Sequence, residues 1–301
     1  MYTKIYGSYF VFSVIDGHGQ VCYNTFEVRK MNVFSQTITL NNGMKMPLLG
    51  LGTWQLPNGE PAYNSVRAAL AAGYRMIDTA CGYGNEESIG RAIRDSDVPR
   101  DEIFVVTKLP AEIKEYEAVK ESFFGSKERL GLGVVDLYLI HAPWPWEEVG
   151  KDCADENVEA FSAMEELVKD GHIRAAGISN FAARDIRPLL ERCSLRPAVN
   201  QLCHYAGYWE RDAVELCEKE GIQVMAYAPL GTGRVFKNPA LPPLAEKYGV
   251  SVAQLCIRYL FQQGIPTIPR SQKPERIVDN ARIDFEISPE DMAAIDALRN
   301  E

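Results

Sequence analysis

The segment Val135-Asp-Leu-Tyr-Leu-Ile140 is a short, mostly apolar run, and the segment after it carries Val158, Phe161, Met164 and Val168 on one helical stripe. This order of apolar run and helical segment recurs along the chain. The runs number eight and cover Leu48–Gly52, Met76–Thr79, Ile103–Thr107, Val135–Ile140, Ala175–Ile178, Ala198–Leu202, Val224–Ala228 and Ile265–Ile268. Such runs are typical of strands buried on both faces of a parallel sheet. Their alternation with helices predicts an α/β fold, a (β/α)8 TIM barrel.

A doubly wound open sheet is the alternative fold for this alternation. It would usually carry a GxGxxG turn after its first strand. The corresponding stretch, Gly50-Leu-Gly52-Thr-Trp-Gln, lacks the third glycine, and the chain has no GxxxxGK loop. A length of 301 residues also suits a barrel of roughly 250 residues with insertions.

Two further elements flank the alternating region. Thr37–Leu40 and Met46–Leu49, separated by Asn42-Gly43, predict an N-terminal β-hairpin, because Asn-Gly supplies the positive φ of a tight turn. Ser288-Pro289-Glu290-Asp291 predicts the start of an extra C-terminal helix, with a capping serine, proline at the first helical position and acids in the first turn.

Residues 1–36 do not join this pattern, and their structure is left open. In one interpretation Met31 is the true start and residues 1–30 are an upstream extension; in the other they form a short hairpin or arm packed on the barrel. The first is favoured, and N-terminal sequencing of the native protein would decide. The predicted domains are therefore an N-terminal extension, 1–36, and a barrel domain, 37–301.

Composition narrows the class of protein. The net charge of −9 and the absence of a basic patch argue against a nucleic-acid partner. Seven cysteines occur without any CxxC, which predicts reduced thiols in a cytoplasmic protein. No apolar run approaches the ~20 residues of a membrane span, so no membrane association is expected.

Polar residues lie within or directly after the C-terminal ends of the predicted strands, where barrel enzymes carry their chemistry. They are Asp78, Lys108, His141, Ser179, Asn180, Gln201, Tyr227, Arg270 and Ser271. Each has an ordinary alternative, such as a helix cap, a surface lysine or a structural histidine. Their shared position at one end of the barrel predicts a site.

Tyr83 lies five residues beyond Asp78, between Gly82 and Gly84. It could simply pack within its loop. A neighbouring lysine, held by Asp78, would instead favour the phenolate and lower the tyrosine pKa from about 10, which would make Tyr83 a useful general acid.

These residues resemble the aldo-keto reductase family over about residues 37–299, most closely bacterial members of the 2,5-diketo-gluconate reductase type. The matching motifs, in order, are Gly73-Tyr-Arg-Met-Ile-Asp78-Thr-Ala-Cys-Gly-Tyr83-Gly-Asn-Glu86, Val106-Thr-Lys108-Leu, Asp136-Leu-Tyr-Leu-Ile-His141, Gly177-Ile-Ser179-Asn180-Phe, Asn200-Gln201 and Ile268-Pro-Arg270-Ser271 with Arg276, Asp279 and Asn280.

The resemblance implies a catalytic set and a pocket. Tyr83 would protonate the carbonyl oxygen, Lys108 paired with Asp78 would tune it, and His141 would orient the substrate. The substrate pocket would contain Trp54, His141 and Trp144. No metal is expected, because hydride passes directly from cofactor to substrate.

The resemblance also implies the cofactor contacts. Tyr227 would stack on the nicotinamide, while Ser179, Asn180 and Gln201 would hold its carboxamide. The remaining cofactor-binding residues would be Gly52, Thr53, Trp54, Asp78, Leu230, Arg270, Ser271, Arg276, Asp279 and Asn280. Arg270 and Arg276 suit a 2′-phosphate, which favours NADPH over NADH unless both serve surface ion pairs.

Three departures from the family pattern stand out. Position 270 is Arg where Lys is commoner, position 279 is Asp where Glu is commoner, and His141 is followed by Ala-Pro-Trp-Pro instead of Trp-Pro. The first keeps the charge and the second shortens an adenosine contact. The third changes how Trp144 would enter the pocket.

The implied function is NADPH-dependent reduction of aldehydes or ketones to alcohols by direct hydride transfer. The short segment after the last helix favours an open site for small aldehydes, α-dicarbonyls or keto-sugars, in a monomer or at most a weak dimer. One alternative is a cofactor-binding subunit without turnover. Another is a barrel hydrolase or isomerase, although of the four histidines only His141 lies at a predicted mouth position.

Overall fold

The computed structural model describes residues 3–6, 9–15, 21–27 and 32–298 and divides into two units, Met1–Val33 and Phe34–Glu301. The first unit holds three strands, β1 (Thr3–Tyr6), β2 (Tyr9–Ile15) and β3 (Val21–Glu27), which pair antiparallel in that order. Met31 lies outside the described residues, so its role as a start site stays a prediction.

The second unit is built on a parallel sheet. A two-stranded antiparallel hairpin comes first, formed by β4 (Thr37–Thr39) and β5 (Lys45–Pro47). Seven parallel strands then lie side by side in chain order: β6 (Leu51–Gly52), β7 (Met76–Asp78), β8 (Phe104–Leu109), β9 (Val135–Ile140), β10 (Ile173–Ser179), β11 (Val199–Cys203) and β12 (Gln223–Tyr227).

The eighth position of the barrel is occupied by a segment that pairs too briefly to form a regular strand. Thr267 makes parallel bridges to Leu49 on one side and Ala226 on the other, which closes the ring. Thr267 N donates to Leu48 O at 2.9 Å, and Gly50 N donates to Thr267 O at 2.9 Å. The pairing stays short because Pro266 and Pro269 have no N–H to donate, although their carbonyl oxygens accept from Ala226 N at 2.7 Å and Gly52 N at 3.2 Å. The predicted TIM barrel is confirmed.

Helices follow the strands around the outside. They are α1 (Glu60–Ala72), α2 (Glu86–Arg94), α3 (Tyr116–Leu130), α4 (Ala154–Lys169), α5 (Ala183–Arg192), α6 (Arg211–Glu220), α7 (Leu241–Lys247), α8 (Val252–Gln262), α9 (Pro274–Asn280) and α10 (Pro289–Asp296). The last is the predicted extra helix, and Ser288 Oγ caps it by accepting from Asp291 N at 3.3 Å. Within the described residues, no helix has the length and apolar character needed to cross a membrane.

The predicted hairpin covers one end of the barrel. Leu40 and Met46 belong to the buried cluster that the strands also line, for example with Met225. Asn41 Nδ2 donates to Pro197 O at 2.9 Å and Asn42 Nδ2 to Arg174 O at 3.2 Å, both at the N-terminal ends of strands. The C-terminal ends, where the polar residues were predicted to gather, therefore form the open mouth.

Candidate active site

A buried ion pair lies where β7 and β8 end. Lys108 is fully buried, and its Nζ donates to Asp78 Oδ1 at 2.7 Å and to Thr79 O at 2.8 Å. Its third polar neighbour is the hydroxyl of Tyr83, at 3.3 Å. A buried ammonium is costly unless it is paired and hydrogen-bonded, so these three oxygens account for its presence in the core.

The loop after β7 carries Tyr83 to this position. The chain turns through a short 3-10 helix, Cys81–Tyr83, in which Tyr83 N donates to Ala80 O at 3.0 Å. Gly84 ends the helix with φ +66°, a value that glycine adopts freely. Lys108 Nζ then lies 4.9 Å from the centre of the Tyr83 ring.

Burial and charge act in opposite directions on the Tyr83 phenol. Burial is the larger influence and raises its pKa, while the Lys108 ammonium lowers it. The predicted effect of Lys108 therefore has the expected sign, but it does not bring the Tyr83 pKa below its ordinary value, because desolvation outweighs it. Burial alone would lower the pKa of Lys108, yet Asp78 and Tyr83 hold it above its usual value. Tyr83 thus carries its proton at neutral pH beside a charged lysine.

His141 follows β9 and faces the same space. Burial lowers the pKa of its imidazole to about 3, and Lys108 adds to that shift, so the ring is neutral at physiological pH. The ring lies edge-on to Tyr83, with centroids 5.6 Å apart. A neutral imidazole can donate one N–H to a carbonyl oxygen placed near the Tyr83 hydroxyl.

Four further side chains from β10, β11 and β12 are connected by hydrogen bonds. Gln201 Nε2 donates to Asp78 Oδ2 at 2.7 Å, and Ser179 Oγ donates to Gln201 O at 2.9 Å. Tyr227 OH donates to Asn180 Oδ1 at 2.8 Å, and Asn180 Nδ2 donates to His141 O at 2.9 Å. The amides therefore join the far side of the mouth to the Asp78–Lys108 pair.

Beneath the mouth, two buried side chains tie the loop after β6 to the loop after β7. Thr53 N and Oγ1 donate to Asp78 O at 3.0 and 2.9 Å. Asn85 Nδ2 donates to Thr53 O at 2.9 Å, and Asn85 Oδ1 accepts from Thr79 Oγ1 at 2.8 Å. Asn85 lies within the matching motif, but the sequence assigned it no role, because it resembles an ordinary residue before a helix.

The mouth opens into a cleft of about 900 Å³. The predicted site residues that line it are Gly52, Trp54, Asp78, Tyr83, His141, Ser179, Asn180, Gln201, Tyr227, Leu230 and Arg270. Lys108 and Thr53 are buried next to it. Within the described residues, no group of three or more His, Cys, Asp or Glu side chains is arranged to hold a metal ion.

Trp144, predicted to line the substrate pocket, is not among the lining residues. Trp146 lines the cleft instead, with its ring edge-on to His141 at 5.4 Å between centroids. Trp144 contacts Trp146, at 5.3 Å. Both tryptophans belong to one loop with two prolines, Pro143 and Pro145, so the sequence does not show which of them the turn directs inward.

The predicted phosphate-binding residues lie at the rim and beyond it. Arg270 is exposed and donates to two backbone oxygens, Trp54 O at 3.2 Å and Gln55 O at 2.9 Å. Asp279 pairs with Arg282 at 2.9 Å, and Arg276 is exposed on α9. Residues 271, 276, 279 and 280 are not among those that line the cleft.

Sequence reasoning missed several lining residues, namely Gln55, Glu112, Trp146, Cys203, Arg234 and Phe236. Only Arg234 carried a usable signal, because Gly231-Thr-Gly-Arg234 follows a strand in the manner of an anion-binding loop.

The cleft also gathers unusual backbone conformations. Among the described residues, the non-glycine residues with positive φ are Gln55, Asn180, Ala228 and Thr232, and all four line the cleft. Such conformations cost about 1–3 kcal/mol each and tend to occur at functional sites.

Comparison with known proteins shows to which family the chain belongs. Residues 48–300 match the model of the aldo/keto reductase family. The chain belongs to this family. It is 43% identical over 266 residues to a protein named glyoxal reductase from Bacillus subtilis, an alignment that covers 88% of this chain and 93% of that protein.

Solved structures agree with the family. An aldo-keto reductase from a Medee basin deep-sea metagenome library has a TM-score of 0.81 and 40% identity, covering 86% of this chain and 93% of that one. A Bombyx mori aldo-keto reductase in complex with NADP has a TM-score of 0.80 and 33% identity, covering 88% and 93%. The resemblance predicted from the motifs is confirmed, and this aldo-keto reductase is an oxidoreductase of a carbonyl-reducing family.

Proposed function

We propose that this aldo-keto reductase reduces aldehydes and ketones to alcohols with NADPH, and that Tyr83 donates the proton. The observation that carries the proposal is the buried Lys108, held 2.7 Å from Asp78 and 3.3 Å from the Tyr83 hydroxyl at the cleft. A protonated phenol beside a fixed ammonium is suited to give up its proton when negative charge develops on a carbonyl oxygen.

The other catalytic groups act on the same oxygen. His141 is neutral, because its pKa is about 3, and donates a hydrogen bond that orients the carbonyl. As Tyr83 loses its proton to the product alcohol, the phenolate is stabilised by Lys108 at 3.3 Å. Asp78 keeps the Lys108 ammonium in position, and Gln201 in turn holds the Asp78 carboxylate.

The cleft fits a nicotinamide cofactor. Its volume of about 900 Å³ lies within the usual range of roughly 300–1,000 Å³ for cofactor sites. Polar groups of Ser179, Asn180 and Gln201 line one part, where they can hold a carboxamide, and Tyr227 offers a ring for stacking. The reduced nicotinamide would supply the hydride to the carbonyl carbon.

Positive charge at the rim supports NADPH over NADH. Arg270 lines the cleft and Arg276 is exposed on the following helix, so neither guanidinium group is buried and both are accessible to an anion. Arg270 would exchange its two backbone carbonyl partners for the phosphate. In the same proposal, Ser271, Asp279 and Asn280 bind the adenosine end of the cofactor.

Small aldehydes, α-dicarbonyls and keto-sugars are the proposed substrates. The similarity to the protein named glyoxal reductase supports an α-dicarbonyl. The exposed rings of Trp54, Trp146 and Phe236 line the cleft and offer apolar surface to small carbonyl compounds. The chain is expected to act as a monomer or at most a weak dimer, which analytical ultracentrifugation would test.

The test follows the loss of NADPH absorbance in the near ultraviolet with methylglyoxal, an aromatic aldehyde and a keto-sugar. We expect wild type to oxidise NADPH with at least one of them. Tyr83→Phe should bind NADPH with wild-type affinity but lose roughly 10²–10⁴-fold in kcat, the usual contribution of a general acid.

Two results would contradict the proposal. NADPH binding without turnover of any of the three substrates would favour a cofactor-binding subunit. Full activity in Tyr83→Phe would remove Tyr83 from the acid role while leaving the fold and family assignment intact.

A further inference from the structure

The charged side chains that line the cleft are separated across the barrel. Glu112 lies in the loop after β8, the third strand of the ring, and Arg234 in the loop after β12, the seventh. Trp146 follows β9, the fourth strand, and Arg270 follows the eighth segment. In a closed ring of eight, the third position faces the seventh and the fourth faces the eighth, so the carboxylate and the guanidinium groups occupy opposite sides.

Glu112 is connected to the reaction centre through one residue. Its Oε1 accepts from Trp146 N at 3.3 Å, and the Trp146 ring lies 5.4 Å from that of His141. His141 in turn lies 5.6 Å from the ring of Tyr83. A carbonyl compound bound at Tyr83 and His141 would therefore share the cleft with Trp146 and Glu112, which both line it.

Among the described residues that line the cleft, the basic ones are Arg234 and Arg270, and both follow strand positions across the ring from Glu112. Among the described residues that line the cleft, the other acid is Asp78, which is paired with Lys108. Lys114 lies close to Glu112, but its ammonium donates to Ala142 O and Asn157 Oδ1, both at 2.8 Å, and it does not line the cleft.

The same side of the rim carries further acids. Glu147 and Glu148 follow Trp146 directly and are exposed, and Glu148 is paired with Lys151 at 2.8 Å. On the opposite side, Arg234 and Arg270 provide the positive charge that suits the phosphates of a cofactor.

We propose that Glu112 is a specificity-determining residue that rejects carbonyl substrates bearing a carboxylate and favours neutral or cationic ones. The proposal rests on the proposed reductase function and narrows its substrate class. Neutral keto-sugars and α-dicarbonyls remain acceptable, whereas keto-sugar acids are disfavoured. Repulsion between like charges supplies the discrimination, as an unfavourable contact built against the wrong substrate.

The test compares three para-substituted benzaldehydes that differ in charge: 4-carboxybenzaldehyde, 4-nitrobenzaldehyde and 4-(trimethylammonio)benzaldehyde. NADPH oxidation is measured for wild type, Glu112→Gln and the matched control Glu147→Gln, which makes the same charge change on an exposed residue outside the cleft lining. Each substrate is compared with itself between variants, so differences in intrinsic reactivity cancel.

In Glu112→Gln we expect kcat/KM to rise about fivefold for the carboxylate and to fall about fivefold for the cation, the size of one screened charge interaction. The change should lie in KM, because the charge acts on binding and not on proton transfer. The neutral aldehyde should change by less than about twofold, and Glu147→Gln should show a much smaller effect.

Equal changes for all three aldehydes, or no change, would overturn the proposal, since a structural role of Glu112 would not distinguish the sign of the substrate charge. If wild type reduced none of the three aldehydes, including the neutral one, the result would count against the reductase function itself. Binding of 4-carboxybenzaldehyde, followed by quenching of tryptophan fluorescence, would then still test the charge effect: equal affinity in wild type and Glu112→Gln would overturn it.

Discussion

At the base of the cleft Lys108 is fully buried and contacts three oxygens of its own chain, whereas at the rim Arg270 is exposed and donates to two backbone carbonyls. The base is held by bonds between β7, β8 and β11, and Gln201 reaches Asp78 from 123 residues away. Barrel packing therefore fixes the groups that would perform the proton transfer. At the rim, exposed Arg270 could exchange its two carbonyl partners for a phosphate of the proposed cofactor.

The largest effect should come from breaking the pair at the base. Asp78→Asn leaves the Lys108 ammonium buried without a carboxylate, so we expect the free energy of unfolding to fall by about 3–5 kcal/mol, together with a strong loss of activity. Denaturant titration measures the first and NADPH oxidation the second. Asp97→Asn, at an exposed position, is the matched control. Equal stability of the two variants would mean that the Asp78–Lys108 ion pair does not stabilise the bottom of the cleft.

A smaller effect, confined to cofactor binding, is expected at the rim. Arg270→Met removes charge-assisted hydrogen bonds worth about 1.5–3 kcal/mol, so the KM for NADPH should rise roughly 10–100-fold with little change in kcat or in stability. The KM for NADH should change much less. Arg192→Met, on α5 and paired with Asp155, removes the same charge outside the cleft lining. A parallel loss of NADPH and NADH binding would argue against a 2′-phosphate contact.

The smallest effect concerns the pH dependence of activity and tests whether His141 is buried and neutral. The pKa of His141 is lowered from 6.5 to about 3, so its neutral form persists as pH falls from 8 to 5.5. We expect kcat/KM for a neutral aldehyde to vary by less than about twofold over this window. A histidine with the ordinary pKa of about 6.5 would be roughly 90% protonated at pH 5.5, and activity that depends on its neutral form would fall about tenfold. An NMR titration of the His141 ring near pH 6.5 would contradict the buried, neutral assignment.

Much of the site could be predicted from the sequence because parallel strands in a barrel all end at one face. Asp78, His141 and Gln201 are far apart in the chain, yet each lies in the last part of an apolar run or directly after it, and each lines the cleft. Asp279 and Asn280 were predicted from the motif alone and do not line the cleft. They follow the last strand position, where the chain has left the barrel and strand register no longer fixes direction.

By itself the sequence determined the alternation of strands and helices, the hairpin, the capped final helix and the set of polar residues at the strand ends, since these follow from periodicity and local turn chemistry. Only the tertiary structure decided that Trp146 and not Trp144 lines the cleft, that Glu112 also lines it, and that burial outweighs Lys108 at the Tyr83 phenol. These outcomes depend on distances and desolvation between residues remote in sequence, which no local pattern records.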